Sequence, residues 1–211
     1  ASDVYKRQGM LWAADEPDLR MLQQKAAQSR DMEGYVGVCK YLYQTEENPE
    51  LLLLYADSIH QLATKSKKPE QLVEYYIWAS EGNFIKGDFQ QGYALKRKAI
   101  ALAEKVGLKF AISQSCCDMG YYCNVDARYD SARYYFRKGL EAGEDLSEAG
   151  EACRTMLTNY ASSFLFEGKT DSALVYTIRA SERSAADKDT AMLIENLNQL
   201  GTIYRLSLIH I

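Results

Sequence analysis

The segment CCDMGYYCNVDARYDSARYYFRKGLEAG, Cys116–Gly143, contains two helix-like runs separated by a turn at Asp126–Asp130. Small residues lie at fixed places in these runs: Gly120 in the first, and Ala132 and Gly139 in the second. Small side chains allow two helix backbones to approach closely. The segment therefore predicts an antiparallel helix pair.

The same arrangement returns along the chain at spacings of 40, 41 and 40 residues, through Ser80, Gly120, Ala161 and Gly201. The small residues of the second helices follow as Gly92 and Ala99, Ala132 and Gly139, and Ala173 and Ala180. A helix pair that recurs at a fixed period buries its apolar face against its neighbours. The period predicts an all-α fold, a right-handed α-α superhelix of antiparallel helix pairs.

We expect a single solenoid over 17–205, with about four to five repeats and a last repeat that stops after its first helix. The predicted helices are Pro17–Arg30, Glu33–Gln44, Pro49–Lys65, Pro69–Ile85, Phe89–Val106, Leu108–Val125, Tyr129–Ala142, Leu146–Phe166, Asp171–Ser184 and Asp187–Tyr204. Gly107 follows a lysine-bearing last turn and is predicted to end a helix.

The two ends differ from the repeats. ASDVYKRQ (1–8) and LSLIHI (206–211) resemble translated adapter sequence, and we interpret both as non-native tails. Residues 9–16, GMLWAADE, resemble the end of a secretory signal peptide, and the alternative is a short apolar cap on the first helix. A signal remnant would place the protein on the exported, periplasmic side of a membrane; the alternative location is cytoplasmic.

The composition bounds the class of partner. The 211 residues are 47% hydrophobic and 26% charged, with a formal net charge of -4. Basic residues do not cluster, which argues against nucleic acid as a ligand, and Lys96–Lys98 is interpreted as part of a solvated helix face. No apolar run approaches the roughly 20 residues that a membrane-spanning helix needs.

Together these residues resemble the tetratricopeptide repeat family, from about Asp31 to Tyr204 and most closely from Tyr76 to Ala180. The residues that carry the resemblance are Leu200-Gly201 with Tyr204, Met119-Gly120 with Cys123, KGDF (86–89) and YDSARYYFRKGL (129–140). The departures are Cys116 and Leu157 in place of Trp, Lys96 and Thr177 in place of the second-helix aromatic residue, and a period of 40 where the family has about 34.

The resemblance implies a binding module whose concave groove holds a protein or an extended peptide. By register with the family, the groove residues are Glu81, Phe84, Gln114, Cys117, Tyr121, Asn124, Thr158, Ser162, Phe166, Glu195, Asn198 and Thr202. The alternative for each of them is packing between repeats. Similar 40-residue arrays occur in sensor and regulator proteins of Bacteroidetes. This resemblance favours the hypothesis that the chain is the sensory segment of a larger signalling or transcriptional regulator. Such a regulator would have a membrane helix beyond the C-terminus of this segment and could signal by self-association. The alternative function is a free-standing scaffold or assembly factor.

The residue types that support catalysis do not assemble into a pattern. Outside the C-terminal tail the sequence has one histidine, His60, and it has no glycine-rich phosphate loop, nucleophile elbow or zinc-binding helix motif. Cys39, Cys116 and Cys123 fall at interior helix positions, where a small apolar side chain fits. We therefore expect no enzyme activity, no cofactor and no metal.

Overall fold

The computed structural model describes residues 18–46 and 48–209, and within them the fold is all-α. The helices are α1 (Leu19–Ser29), α2 (Met32–Thr45), α3 (Pro49–Ser66), α4 (Pro69–Lys86), α5 (Phe89–Val106), α6 (Lys109–Val125), α7 (Tyr129–Gly143), α8 (Gly150–Phe166), α9 (Thr170–Ala186) and α10 (Thr190–Ile209). A short 3-10 turn at Ser147–Ala149 precedes α8. The prediction of an all-α helical solenoid is confirmed.

Local sequence signals set the ends of the helices. The Asp31 side chain accepts a hydrogen bond of 2.8 Å from the Gly34 amide at the start of α2, and Asp88 does the same for α5 through the Gln91 amide at 3.1 Å. Gly87 and Gly107 end α4 and α5 with φ angles of 89° and 76°, a left-handed conformation that glycine adopts without steric cost. The predicted helix stop at Gly107 is confirmed.

The described residues divide into two compact units, one that ends at Leu108 and one that begins at Lys109. In the first unit, α1 to α5 pack successively around an apolar core. The residues buried in that core are Ala26, Val38, Cys39, Leu42, Leu52, Ala56, Ile59, Trp78, Ala79 and Leu95. In the second unit, α6 to α10 also pack successively, and α8 contacts both α6 and α10.

The small-residue register explains how the helices of the second unit approach each other. A Cβ atom built on Gly120 of α6 would overlap the ring of Phe136 of α7, and one on Gly139 would lie 2.9 Å from the Cβ atom of Cys116. Phe136 is fully buried, which contributes about 1.5–3 kcal/mol to stability. The glycines are therefore needed for the close contact between α6 and α7.

Two features differ from the sequence predictions. Helix α10 continues to Ile209, through most of the segment set aside as a tail, because no glycine or proline follows Tyr204 to stop it. Lys96 is fully buried, so the interpretation of Lys96–Lys98 as a solvated face is wrong for its first residue. The tail at 1–8 and the signal-like segment at 9–16 lie outside the described residues.

Candidate functional site

The first helices of the repeats in the second unit form a row, in which α8 lies against α6 on one side and α10 on the other. Ten predicted groove residues lie on these three helices, and we call their surface the first-helix face. Its members are Gln114, Cys117, Tyr121, Asn124, Thr158, Ser162, Phe166, Glu195, Asn198 and Thr202. Their spacing of three or four residues places those of each helix on one side.

Exposure divides the first-helix face into two groups. Gln114, Phe166 and Asn198 are exposed, and Phe166 has 61% of its surface free. Tyr121, Glu195 and Thr202 are half-buried. The buried members are Cys117, Asn124, Thr158 and Ser162. The face thus combines accessible aromatic, amide and hydroxyl groups with a buried polar floor.

Three of the buried members, Asn124, Thr158 and Ser162, join neighbouring first helices. The Asn124 amide nitrogen donates a hydrogen bond of 3.0 Å to the main-chain oxygen of Asn159, which links α6 to α8. The hydroxyl of Thr158 lies 2.9 Å from Oδ1 of Asn196, and Ser162 accepts a 2.8 Å bond from the amide of Gln199. These contacts fix α10 against α8 and keep the exposed side chains of the row in register.

Asn124 has further hydrogen-bonding capacity. Its side chain is 8% exposed, and its Oδ1 atom accepts no hydrogen bond from any described residue. A buried acceptor without a donor costs about 1–3 kcal/mol. This oxygen is enclosed by the protein beside the contact between α6 and α8, so Asn124 belongs to the buried floor of the face.

The two predicted groove residues of the first unit lie in its interior. Glu81 is 2% exposed and forms an ion pair with the ammonium group of Lys96, the residue that stands where the repeat family has an aromatic side chain. Phe84 is 4% exposed, and its ring packs edge-on against Tyr93 at 5.2 Å. Both side chains hold α4 against α5.

A polar network inside the second unit was missed by the sequence analysis. Asn196 is fully buried on α10 and donates a 3.2 Å hydrogen bond to the hydroxyl of Ser184 on α9. Gln199 Oε1 lies 3.2 Å from the hydroxyl of Thr177. Asn196 lies four residues before Leu200 and seven before Ile203, which places it on the apolar side of α10. A polar residue at an apolar position of a helix is the sequence signal that could have predicted its burial.

Charged pairs reinforce the connections beside the first-helix face. Arg133 of α7 donates to Glu167 at 2.5 Å, pairs with Asp130 and lies over the ring of Phe164 at 4.6 Å. The hydrogen bond from Arg133 lowers the pKa of Glu167. In the same way, Arg183 and then Arg154 lower the pKa of Asp187 at the turn between α9 and α10. These carboxylates are held ionised and belong to structural ion pairs.

The remaining reactive side chains are dispersed. The thiols of Cys39, Cys116, Cys117, Cys123 and Cys153 are all buried, and burial raises the pKa of the Cys39 thiol. His60 is exposed and stacks on Tyr75 at 4.3 Å. Within 18–46 and 48–209, no three acidic, cysteine or histidine residues are grouped to hold a metal ion, and no helix has the length and apolar character needed to cross a bilayer.

Comparison with known proteins supports the fold. No protein-family model matches the chain, and no curated protein matches it by sequence. Among solved structures the chain is similar to BtubC (BKLC) from P. vanneervenii, with a TM-score of 0.70 and 13% sequence identity. The similarity covers 90% of this chain and 80% of that one. At this identity the likeness is one of fold, an all-helical repeat-like arrangement.

Proposed function

We propose that the protein is a protein-interaction module and that its second unit binds an extended peptide segment of a partner along the first-helix face. The observation that carries this proposal is the set of accessible groups along the three first helices, where Gln114, Phe166 and Asn198 are exposed and Tyr121 is half-buried. The exposed amide side chains of this face can form hydrogen bonds with the main chain of an extended peptide, whatever the sequence of that peptide.

Two aromatic rings on the face supply apolar contacts for such a peptide. Tyr121 presents a half-buried ring on the same side of α6, and Phe166 presents an exposed ring at the end of α8. Aromatic side chains that are already partly packed lose little conformational freedom when they bind, so they act as anchors. Gln114 and Asn198 offer amide groups that both donate and accept. Such a face suits main-chain recognition with one or two apolar insertions.

The double variant Tyr121→Ala with Asn124→Ala tests this assignment. Linear peptides are selected from a random phage-displayed library against the wild-type protein, and their affinities are measured by fluorescence anisotropy. We expect the double variant to lose binding while its helicity is unchanged. Tyr134→Ala removes an equally large, half-exposed tyrosine from α7 and serves as the matched control. Selected peptides that bind the double variant as tightly as wild type would refute the site.

We infer further that the helix pairs are degenerate tetratricopeptide repeats and that the chain is the exported sensory segment of a larger signalling or transcriptional regulator. The 40-residue period, the Gly120 and Gly201 positions and the signal-like segment at 9–16 support this inference. Sequencing the complete gene across both ends tests it. A full signal peptide and a downstream kinase or DNA-binding region are expected; their absence would favour a free-standing scaffold.

A further inference from the structure

Helices α7 and α9 both pack against α8, and a group of aromatic rings lies along these contacts. Tyr160 and Phe164 lie four residues apart, on one side of α8. The ring centroid of Tyr176 on α9 lies 4.5 Å from that of Tyr160 and 5.3 Å from that of Phe164, with which it stacks at an interplanar angle of 6°. All three side chains are half-buried, so part of each ring reaches the surface. We call these three rings the ring cluster.

Arginine side chains border the ring cluster from both neighbouring helices. The guanidinium carbon of Arg133 on α7 lies 4.6 Å from the ring centroid of Phe164. The guanidinium carbon of Arg179 on α9 lies 5.7 Å from the ring centroid of Tyr176. Both distances are within the range of a favourable cation–π interaction. The two helices therefore each direct a positive charge toward the same rings.

A third arginine acts on the tyrosine end of the ring cluster. Arg137 follows Arg133 by four residues and so lies on the same side of α7, one turn further along. Burial and the neighbouring Tyr176 raise the pKa of Tyr160, whereas the positive charges of Arg137 and Arg133 lower it. The guanidinium group of Arg137 is thus close enough to influence the Tyr160 hydroxyl.

The three guanidinium groups differ in their charge balance. Arg133 forms ion pairs with Glu167 and Asp130, which neutralise its charge. Arg137 and Arg179 are exposed, and neither forms an ion pair within the part of the chain that the structure describes. Two uncompensated positive charges therefore lie at the tyrosine end of the ring cluster, although the whole chain has a formal net charge of -4.

We propose that Arg137, Tyr160, Tyr176 and Arg179 form a binding site for a phosphate monoester, and we call their surface the arginine–tyrosine groove. A phosphate monoester carries a charge of about -1.5 to -2 at pH 7, which matches two guanidinium groups better than the single charge of a carboxylate does. Guanidinium groups bind phosphate oxygens through paired hydrogen bonds. The two tyrosine hydroxyls supply further donors. The groove shares no residue with the first-helix face.

Phenyl phosphate serves as the probe, because its ring can lie on the ring cluster while its phosphate meets the two guanidinium groups. Isothermal titration calorimetry of the full chain at low ionic strength measures the dissociation constant. We expect saturable binding at one site. Benzoate has the same ring with a single charge, and it should bind at least roughly tenfold more weakly.

The variant Arg137→Gln with Arg179→Gln removes both charges and keeps two long polar side chains. Both positions are exposed, so helicity and the unfolding midpoint should be kept while phenyl phosphate binds at least roughly tenfold more weakly. Lys109→Gln with Arg205→Gln is the matched control. It removes two positive charges from exposed positions of α6 and α10, and it should bind phenyl phosphate as wild type does.

A tripeptide with phosphotyrosine between two alanines, blocked at both ends, distinguishes two sources of the phosphate group. Tighter binding of this peptide than of phenyl phosphate would assign the source to a phosphorylated side chain of a partner protein. Equal affinities would assign it to a small phosphate ester. Both results support the site, since the shared chemistry is the phosphate monoester.

Three results would overturn the proposal. The first is an absence of saturable phenyl phosphate binding, and the second is equal binding of benzoate and phenyl phosphate by the wild-type protein. The third is equal binding of phenyl phosphate by wild type and by Arg137→Gln with Arg179→Gln. The variant Tyr121→Ala with Asn124→Ala should bind phenyl phosphate normally, so the test is independent of peptide binding at the first-helix face.

Discussion

Alanine at Gly120 and alanine at Gly201 should have opposite effects on stability, although the two glycines occupy equivalent positions. At Gly201 the new methyl group meets no described atom, so the higher helix propensity of alanine should stabilise the second unit by about 1 kcal/mol. At Gly120 the methyl group overlaps the ring of Phe136, which is fully buried and lies beside Tyr160 at 6.4 Å. Overpacking of this kind costs about 1–3 kcal/mol. After the gain in propensity of about 1 kcal/mol, we expect a net loss of about 0–2 kcal/mol.

The two variants should therefore differ by about 1–3 kcal/mol in the free energy of unfolding. Urea unfolding followed by far-UV circular dichroism measures this difference, and both sites lie in the same unit, so the same transition reports both. Phe136→Leu combined with Gly120→Ala should recover part of the lost stability, because the smaller leucine side chain leaves room for the new methyl group. If Gly120→Ala raised the midpoint as much as Gly201→Ala does, the close packing of α6 on α7 would be refuted.

Three further predictions concern charge and reactivity. Lys96→Met should lower the free energy of unfolding in urea by about 3–5 kcal/mol, because it removes the ammonium group paired with buried Glu81. Adding Glu81→Leu should restore wild-type stability. A Lys96→Met variant as stable as wild type would contradict the ion pair. The hydrogen bond from Arg133 lowers the pKa of Glu167 from its ordinary value of 4.5. The stability contributed by the Glu167 carboxylate is therefore present above pH 4.5 and is lost as the pH falls through the folded pKa. Glu167→Gln should make the unfolding midpoint less steeply dependent on pH in that range. The five buried thiols, Cys39 among them, should react with a thiol reagent slowly in the native protein and rapidly in denaturant, and fast labelling of all five without denaturant would contradict their burial.

The packing of the helices could be predicted because it depends on residue size at a fixed period. Gly120, Ala132 and Gly139 indicated an antiparallel pair, and the structure brings Gly120 and Gly139 into close contact with the opposite helix. Helix ends followed from local chemistry, such as the left-handed backbone of Gly107. Such signals lie within a few residues of the feature that they specify, so one sequence is enough to interpret them.

The polar interior could not be predicted in the same way. Lys96 pairs with Glu81 across two helices, and Asn196 bonds to Ser184 across two others. A charged or amide side chain on a helix normally indicates a solvated face, and its burial depends on a partner that lies elsewhere in the sequence. Glu81 and Phe84 illustrate the same limit, since register with the repeat family indicated a groove and the structure places both side chains inside the first unit.

In three helix pairs, two positions that lie sixteen residues apart are both buried. Gly120 is matched with Phe136, Ser80 with Lys96 and Ala161 with Thr177, and in all three pairs both residues are buried. The smallest first residue, Gly120, accompanies the bulkiest second residue, Phe136, and the ring fills the space that the glycine leaves. At this crossing, a change in one residue should accordingly be accompanied by a compensating change in the other. A repeat transplanted from one place to another keeps its fit only if both members of its pair move together.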